Sequence, residues 1–396
     1  MNAPTTCLAQ AHLRPSSGLT RLSRAALLSG LMVFAATSAM AVSFSETDLV
    51  SDLPGRAAIQ DPNLVNAWGI SFAPTRPFWI SDNGTGLTTL YGADGAITPL
   101  VVSIPAPSGT PVDTVAKPTG QVFSGASGVV LPGGGSAAFV FATEDGTLSG
   151  WGPANGSKAL LAVDNANKGL GSVYKGLEIA SPQNGSARLY ATDFRNGAVD
   201  VFDNHFNAVN LGASAFTDPN LPAGYAPFNI AKVGNQLAVS YAVQGAGKMD
   251  DLGGPGHGIV DLYSLDGGLS KRLITGGALN SPWGMAIAPS SFGELGGSLL
   301  VGNFGDGTIN AFDPNTGAFK GTLLDKNGQP IVINGLWALS TRDDLAGAQG
   351  RLYFTAGIDD EAHGLFGYIQ AVPEPATLWL MSAGLLLVGC VSRRHA

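Results

Sequence analysis

The chain has 396 residues, 55 of them glycine, with 13% charged residues and a formal net charge of −8. Glycine is about twice, and charge about half, the usual share, which suits many Gly-centred turns between short apolar strands and argues against a helical protein. Of the 21 basic residues, Arg14, Arg21, Arg24, Arg393 and Arg394 lie in the terminal segments against one acid there, Glu374, so the middle of the chain is more acidic than the total suggests. Such a surface repels phosphate backbones and excludes nucleic acid as a partner.

The N-terminus reads as an export signal. Residues 25–41, AALLSGLMVFAATSAMA, follow arginines and end in small residues, and Ala39-Met40-Ala41 fits a small-x-small cleavage site. The expectation is a signal peptide over 1–41, handed to the Sec export machinery and cut after Ala41. A transmembrane anchor is the competing reading, but the stretch is short for a span. The two cysteines, Cys7 and Cys390, both fall in the terminal segments. The middle therefore has no disulfide, no thiolate metal site and no cysteine nucleophile.

Next comes a repeat. Asn66-Ala67-Trp68-Gly69-Ile70 matches Ser281-Pro282-Trp283-Gly284-Met285, and each opens a strand ending in Ala-Pro. PFWISDNGTG and SLLVGNFGDG supply a second strand, LTTLYGADG and TINAFDPNTG a third. Asn334-Gly335-Leu336-Trp337 starts a similar unit. Weaker copies begin at ASGVVLP, KGLEIAS and APFNIAK. Six units of three or four short strands, spaced by Gly, Asn, Asp and Pro turns, predict an all-β six-bladed propeller over 42–371. The last unit lacks a strand, and SFSETDLVSDL at 43–53 reads as the spare that completes it and closes the ring. A β-sandwich or β-helix with irregular repeats is the rival architecture.

The blade-opening motif and strand pattern resemble six-bladed propellers of the NHL and gluconolactonase-like kind. The NAWGISF opening, the DDLGGPGHGIVDLY insertion and the SPWGMAIAP blade resemble more closely a family of PEP-CTERM propeller proteins. That resemblance implies the fold and an export route, and brings no activity with it.

Loops joining second to third strands should gather at one mouth of the central channel. They contain Asp82, Glu144, Asp193 and Asp306, oxygen ligands of the kind Ca²⁺ or Mg²⁺ would take. Asp and Asn also dominate ordinary turns, so plain turns are the competing reading. His257 and His363 could share a zinc or copper ion on the same face. No G-x-S-x-G elbow and no H-E-x-x-H is present. Two functions follow. One is a non-catalytic envelope or matrix protein binding an exopolysaccharide, a peptide or an envelope protein. The other is a metal-dependent lactonase or hydrolase of the gluconolactonase-like type.

The C-terminus, VPEPATLWLMSAGLLLVGCVSRRHA, resembles the PEP-CTERM sorting signal of Gram-negative, exopolysaccharide-producing bacteria. Pro373-Glu374-Pro375 breaks secondary structure. An apolar run over 376–391 reads as a helix, and Arg393 and Arg394 hold its end on the cytoplasmic side. The resemblance implies an exosortase as partner, acting near Pro373 within a sorting segment at 372–396. The expected itinerary is transient inner-membrane anchoring, then release to the envelope or beyond.

Overall fold

In this computed structural model the described residues are 42–372, apart from Asn184. Ala39, Ala41, Pro373, Glu374, Pro375, Arg393, Arg394 and the apolar run 376–391 lie outside them.

Short apolar runs between tight turns fold into antiparallel hairpins, because each run can bury both faces only when flanked by another sheet. The first blade comprises Ala67–Phe72, Phe78–Asp82, Leu87–Tyr91 and Ile97–Ser103. Its last turn is tied by Ala96 N donating to Asp94 Oδ1 at 3.1 Å, with Gly95 at φ 84°. Five further sheets follow, opened by inner strands Pro118–Phe123, Tyr174–Ala180, Tyr225–Val233, Pro282–Ile287 and Leu336–Thr341. The third blade has three strands, the others at least four. The six inner strands pack side by side around one axis, the sixth returning to the first. The chain is thus a six-bladed propeller.

The ring closes as the sequence predicts. Phe44–Ser51 pairs antiparallel with His363–Ala371, running from Phe44 opposite Ala371 to Ser51 opposite Leu365. The outermost strand of the last blade therefore comes from the start of the domain. A register shift between Asp48 and Val50 lets both Leu49 and Val50 face inward.

One apolar cluster fills each gap between neighbouring blades. Phe78, Tyr91, Tyr353 and Phe366, for example, pack the sixth blade on the first. Polar side chains stitch adjacent blades at the axis. Thr192 Oγ1 donates to Phe228 O, Asn229 Nδ2 to Trp283 O at 2.6 Å, and Thr355 Oγ1 to Trp68 O. Glycine permits this approach. A Cβ on Gly120 would lie 2.4 Å from Leu177 N, and one on Gly284 2.6 Å from Trp337 O.

The described residues hold two short 3₁₀ turns, Pro153–Asn155 and Ser290–Leu295. Among them no helix is long and apolar enough to cross a membrane.

Candidate binding site at the channel mouth

Each inner strand starts at the same end of the channel, here called the mouth. In every blade the pairing of inner and second strand shifts register just after the strand begins. The residues at the shift are Trp68, Phe228, Trp283 and Trp337, which share one axial cluster, Lys175, which sits against Trp68, and Thr119, whose Oγ1 donates to Tyr174 O of the next blade at 2.7 Å. Trp68 stacks on Trp337 with ring centroids 3.5 Å apart, and Trp283 meets both edge-on at 5.9 and 5.8 Å. Phe228 and Phe194 extend this plug, and Phe304 stacks on Trp337 at 4.0 Å from the mouth side. The channel is therefore closed by aromatic rings.

Lys175 is the charged member of the ring, and its side chain is 2% exposed. Its Nζ lies 4.9 Å from the Trp68 ring centroid, donates to Glu144 Oε1 at 2.5 Å and sits 3.7 Å from Asp250 Oδ1. Burial acts to raise the Glu144 pKa, but Lys175 and the Asn83 amide outweigh it and hold this carboxyl below the usual range. Asn83 Nδ2 donates to Glu144 Oε2 at 2.9 Å, and Asn66 Nδ2 donates to Asn83 Oδ1 at 3.3 Å and to Glu361 Oε2 at 2.6 Å. Asn66 Oδ1 accepts both indole N–H groups, from Trp68 at 2.9 Å and Trp337 at 3.1 Å. One polar chain, Glu361–Asn66–Asn83–Glu144–Lys175–Asp250, thus roofs the plug. Burial raises the pKa of Glu361, helped by the charges of Glu144 and Asp250.

Above this roof opens a cavity of about 680 Å³. Phe304, Trp337 and Lys175 form its base, and Asp250, Asp251, Asp306, Asp359, Asp360 and Glu361 its wall. Asp359, Asp360 and Glu361 all have positive φ, 54°, 53° and 66°, so three consecutive side-chain-bearing residues hold a left-handed turn at the rim.

The four carboxylates singled out in the sequence occupy different surroundings. Glu144 is committed to Lys175 and Asn83. Asp306 stands in the cavity wall, accepting from Asn280 Nδ2 at 3.0 Å and from Thr308 Oγ1 at 2.6 Å. Asp193 organises its own turn, accepting from Asn196 Nδ2 at 2.7 Å and Val173 N at 3.1 Å. Asp82 is fully buried. Among the described residues no three His, Cys, Asp or Glu side chains form a group that could hold a metal ion. His363 Nδ1 pairs with Asp52 Oδ2 at 2.6 Å, just beyond the closing strand Phe44–Ser51, and His257 Nδ1 with Leu252 O at 3.0 Å within its own loop, so each ring is engaged with a different partner.

Burial pushes the Asp82 pKa well above its ordinary 3.8. A carboxyl with a raised folded pKa gives most stability below its unfolded value and loses it as the pH rises through the folded one. Asp82→Asn is therefore expected to raise the melting temperature at neutral pH and to flatten its fall with rising pH. A variant that melts earlier at neutral pH would show that the ionised carboxylate is favoured in place.

Lys175 and Asn66 escape a search for familiar motifs. The signal for Lys175 is its place: aligning the blades on Ala-Trp-Gly and Pro-Trp-Gly puts Tyr174-Lys175-Gly176 in the same frame, a lysine where tryptophan stands elsewhere.

Known proteins share both parts of this chain. The PEP-CTERM protein-sorting motif matches residues 371–394. Protein R648 of Acanthamoeba polyphaga mimivirus is 33% identical over 332 residues, 81% of this chain and 78% of its own. Protein L690 of the same virus is 33% identical over 328 residues, 81% of this chain and 83% of its own. The chain belongs to the family of these mimivirus proteins. Among solved structures, virginiamycin B lyase from Staphylococcus aureus aligns with 11% identity and a TM-score of 0.47, over 84% of this chain and all of the lyase. This family member thus combines a domain shared with viral relatives and a sorting signal at its C-terminal end.

Proposed function

We propose that this exported propeller is a non-catalytic binding protein of the cell envelope, and that its ligand seats in the mouth cavity. The carrying observation is the cavity itself: a pocket stopped by an aromatic floor and walled by carboxylates. Ionised carboxylates only accept hydrogen bonds, so the wall favours a donor-rich ligand. Phe304 offers a face on which a sugar ring can lie. A hydroxylated or amine-bearing exopolysaccharide fits this chemistry, and an acidic one does not. The lactonase reading would need metal-holding carboxylates at the mouth, and Glu144, the deepest of them, already pairs with Lys175.

The sorting signal supports the itinerary: Sec-dependent export with cleavage after Ala41, a stay in the inner membrane through 376–391, processing by an exosortase near Pro373, and delivery to the envelope or beyond.

The test is calorimetric titration of residues 42–372 with neutral, amine-bearing and uronate-rich polysaccharides. The first two should bind and the last should not, with affinity falling as salt rises for the amine-bearing one. Phe304→Ala and Asp360→Asn should each weaken binding roughly tenfold, or about 1.4 kcal/mol. Binding untouched by both variants would move the site elsewhere. Turnover of a lactone on adding Ca²⁺ or Mg²⁺ would favour the enzyme.

A further inference from the structure

We propose that the face of the propeller opposite the mouth docks on the membrane surface while the sorting tail is in place, so that the mouth cavity is presented away from the lipid.

The argument starts from strand direction. Asp359, Asp360 and Glu361 stand at the mouth, and the next strand, His363–Ala371, runs from there to the opposite end of the blade. Nine residues of strand at about 3.3 Å each carry the chain roughly 30 Å from the mouth. Val372 ends the described residues at the base, where its N–H donates to Ser43 O at 2.8 Å. Only residues 373–375 separate this point from the apolar run that begins at Ala376. Fully extended, three residues reach about 10 Å. A tether that short cannot let a propeller of this depth turn over. It holds the base against whatever surface takes up the apolar run.

The first described residue, Val42, also lies at this base, since Phe44 pairs with Ala371. Both ends of the described residues, Val42 and Val372, therefore lie on the base side.

The test places residues 42–396, the chain after signal cleavage, with Cys390→Ser, in vesicles of phosphatidylethanolamine and phosphatidylglycerol that carry a headgroup quencher. A fluorophore goes on Gln349→Cys at the base or on Asn334→Cys at the mouth. Near-ultraviolet circular dichroism first confirms that the tryptophan stack is intact, and Asn315→Cys replaces the base probe if Gln349→Cys fails to fold. The base probe should be quenched several-fold more strongly than the mouth probe, and removing residues 373–396 should abolish the difference. Equal quenching, a stronger effect at the mouth, or no quenching at either position overturns the proposal. None of these outcomes depends on what the cavity binds.

Discussion

Lys175→Met is expected to lower the unfolding free energy by about 3–5 kcal/mol, the cost of leaving a buried carboxylate without its partner. Glu144 is nearly as enclosed as the lysine, with 11% of its side chain exposed, so water cannot take over for the ammonium group. The cation also loses its place over Trp68, worth about 1–2 kcal/mol where desolvated. The double variant Lys175→Met, Glu144→Gln should recover most of the loss, because a neutral amide can keep the bond from Asn83. The pH dependence separates this from simple packing damage. In the native protein the Glu144 pKa lies below its ordinary 4.5, so its contribution is present above that value and is lost as the pH falls through the folded one. Without Lys175, burial dominates and the folded pKa rises, so stability is instead lost as the pH rises. Urea unfolding of both proteins, at neutral pH and below pH 4.5, should show slopes of opposite sign for this step. Equal losses at both pH values would assign Lys175 a packing role only.

That a lysine occupies this ring shows where sequence patterns carry information and where they stop. Blades are legible because each needs a turn, an apolar run and another turn, and because Trp68, Trp283 and Trp337 repeat at the axis, the first two with glycine after them. Gly69 and Gly284 are there for a steric reason, since a Cβ would lie 2.5 Å from Thr119 O and 2.6 Å from Trp337 O of the next blade, whereas Ala338 fits in the sixth blade. Lys175 breaks the repeat, and its partner Glu144 comes from the neighbouring blade, so no local pattern announces the pair. The acidic loops show the opposite problem. Asp193 and Asp306 look alike in sequence, yet Asp193 ties its own turn while Asp306 faces the cavity. Turn-forming and ligand-facing aspartates use the same residue with the same neighbours, and only the packing of six blades separates them. Asp82 goes further: one residue of strand pleat turns its carboxyl inward, and burial then makes the neutral form the favoured one.

The closing strand was readable from a deficit, since the last unit lacked a partner. Its inward face was not, because simple alternation places Leu49 and Val50 on opposite sides, whereas the bulge after Asp48 buries both. Val50→Asp tests how much the ring depends on that strand. Val50 is fully buried opposite Phe366, in the cluster that joins the sixth blade to the first. A carboxylate there has no cationic partner in the apolar cluster, and the expected loss is at least about 4 kcal/mol, beyond the range of ordinary substitutions. The consequence should not stay local. Once Phe44–Ser51 leaves, the strand His363–Ala371 becomes a free edge, and the outer closure of the first and last units is gone. Thermal unfolding should therefore begin in the sixth blade and broaden, and the released edge should promote association at higher protein concentration. Glu46→Gln, at the exposed position of the same strand, removes a carboxyl that partial burial and the neighbouring Asp48 push up to about 7, so it should leave the ring intact and, at neutral pH and above, hold or raise the melting temperature. If Val50→Asp melted as sharply as the native chain and only a few degrees lower, the inner-strand contacts alone would be holding the ring, and the N-terminal strand would be a cover rather than a clasp.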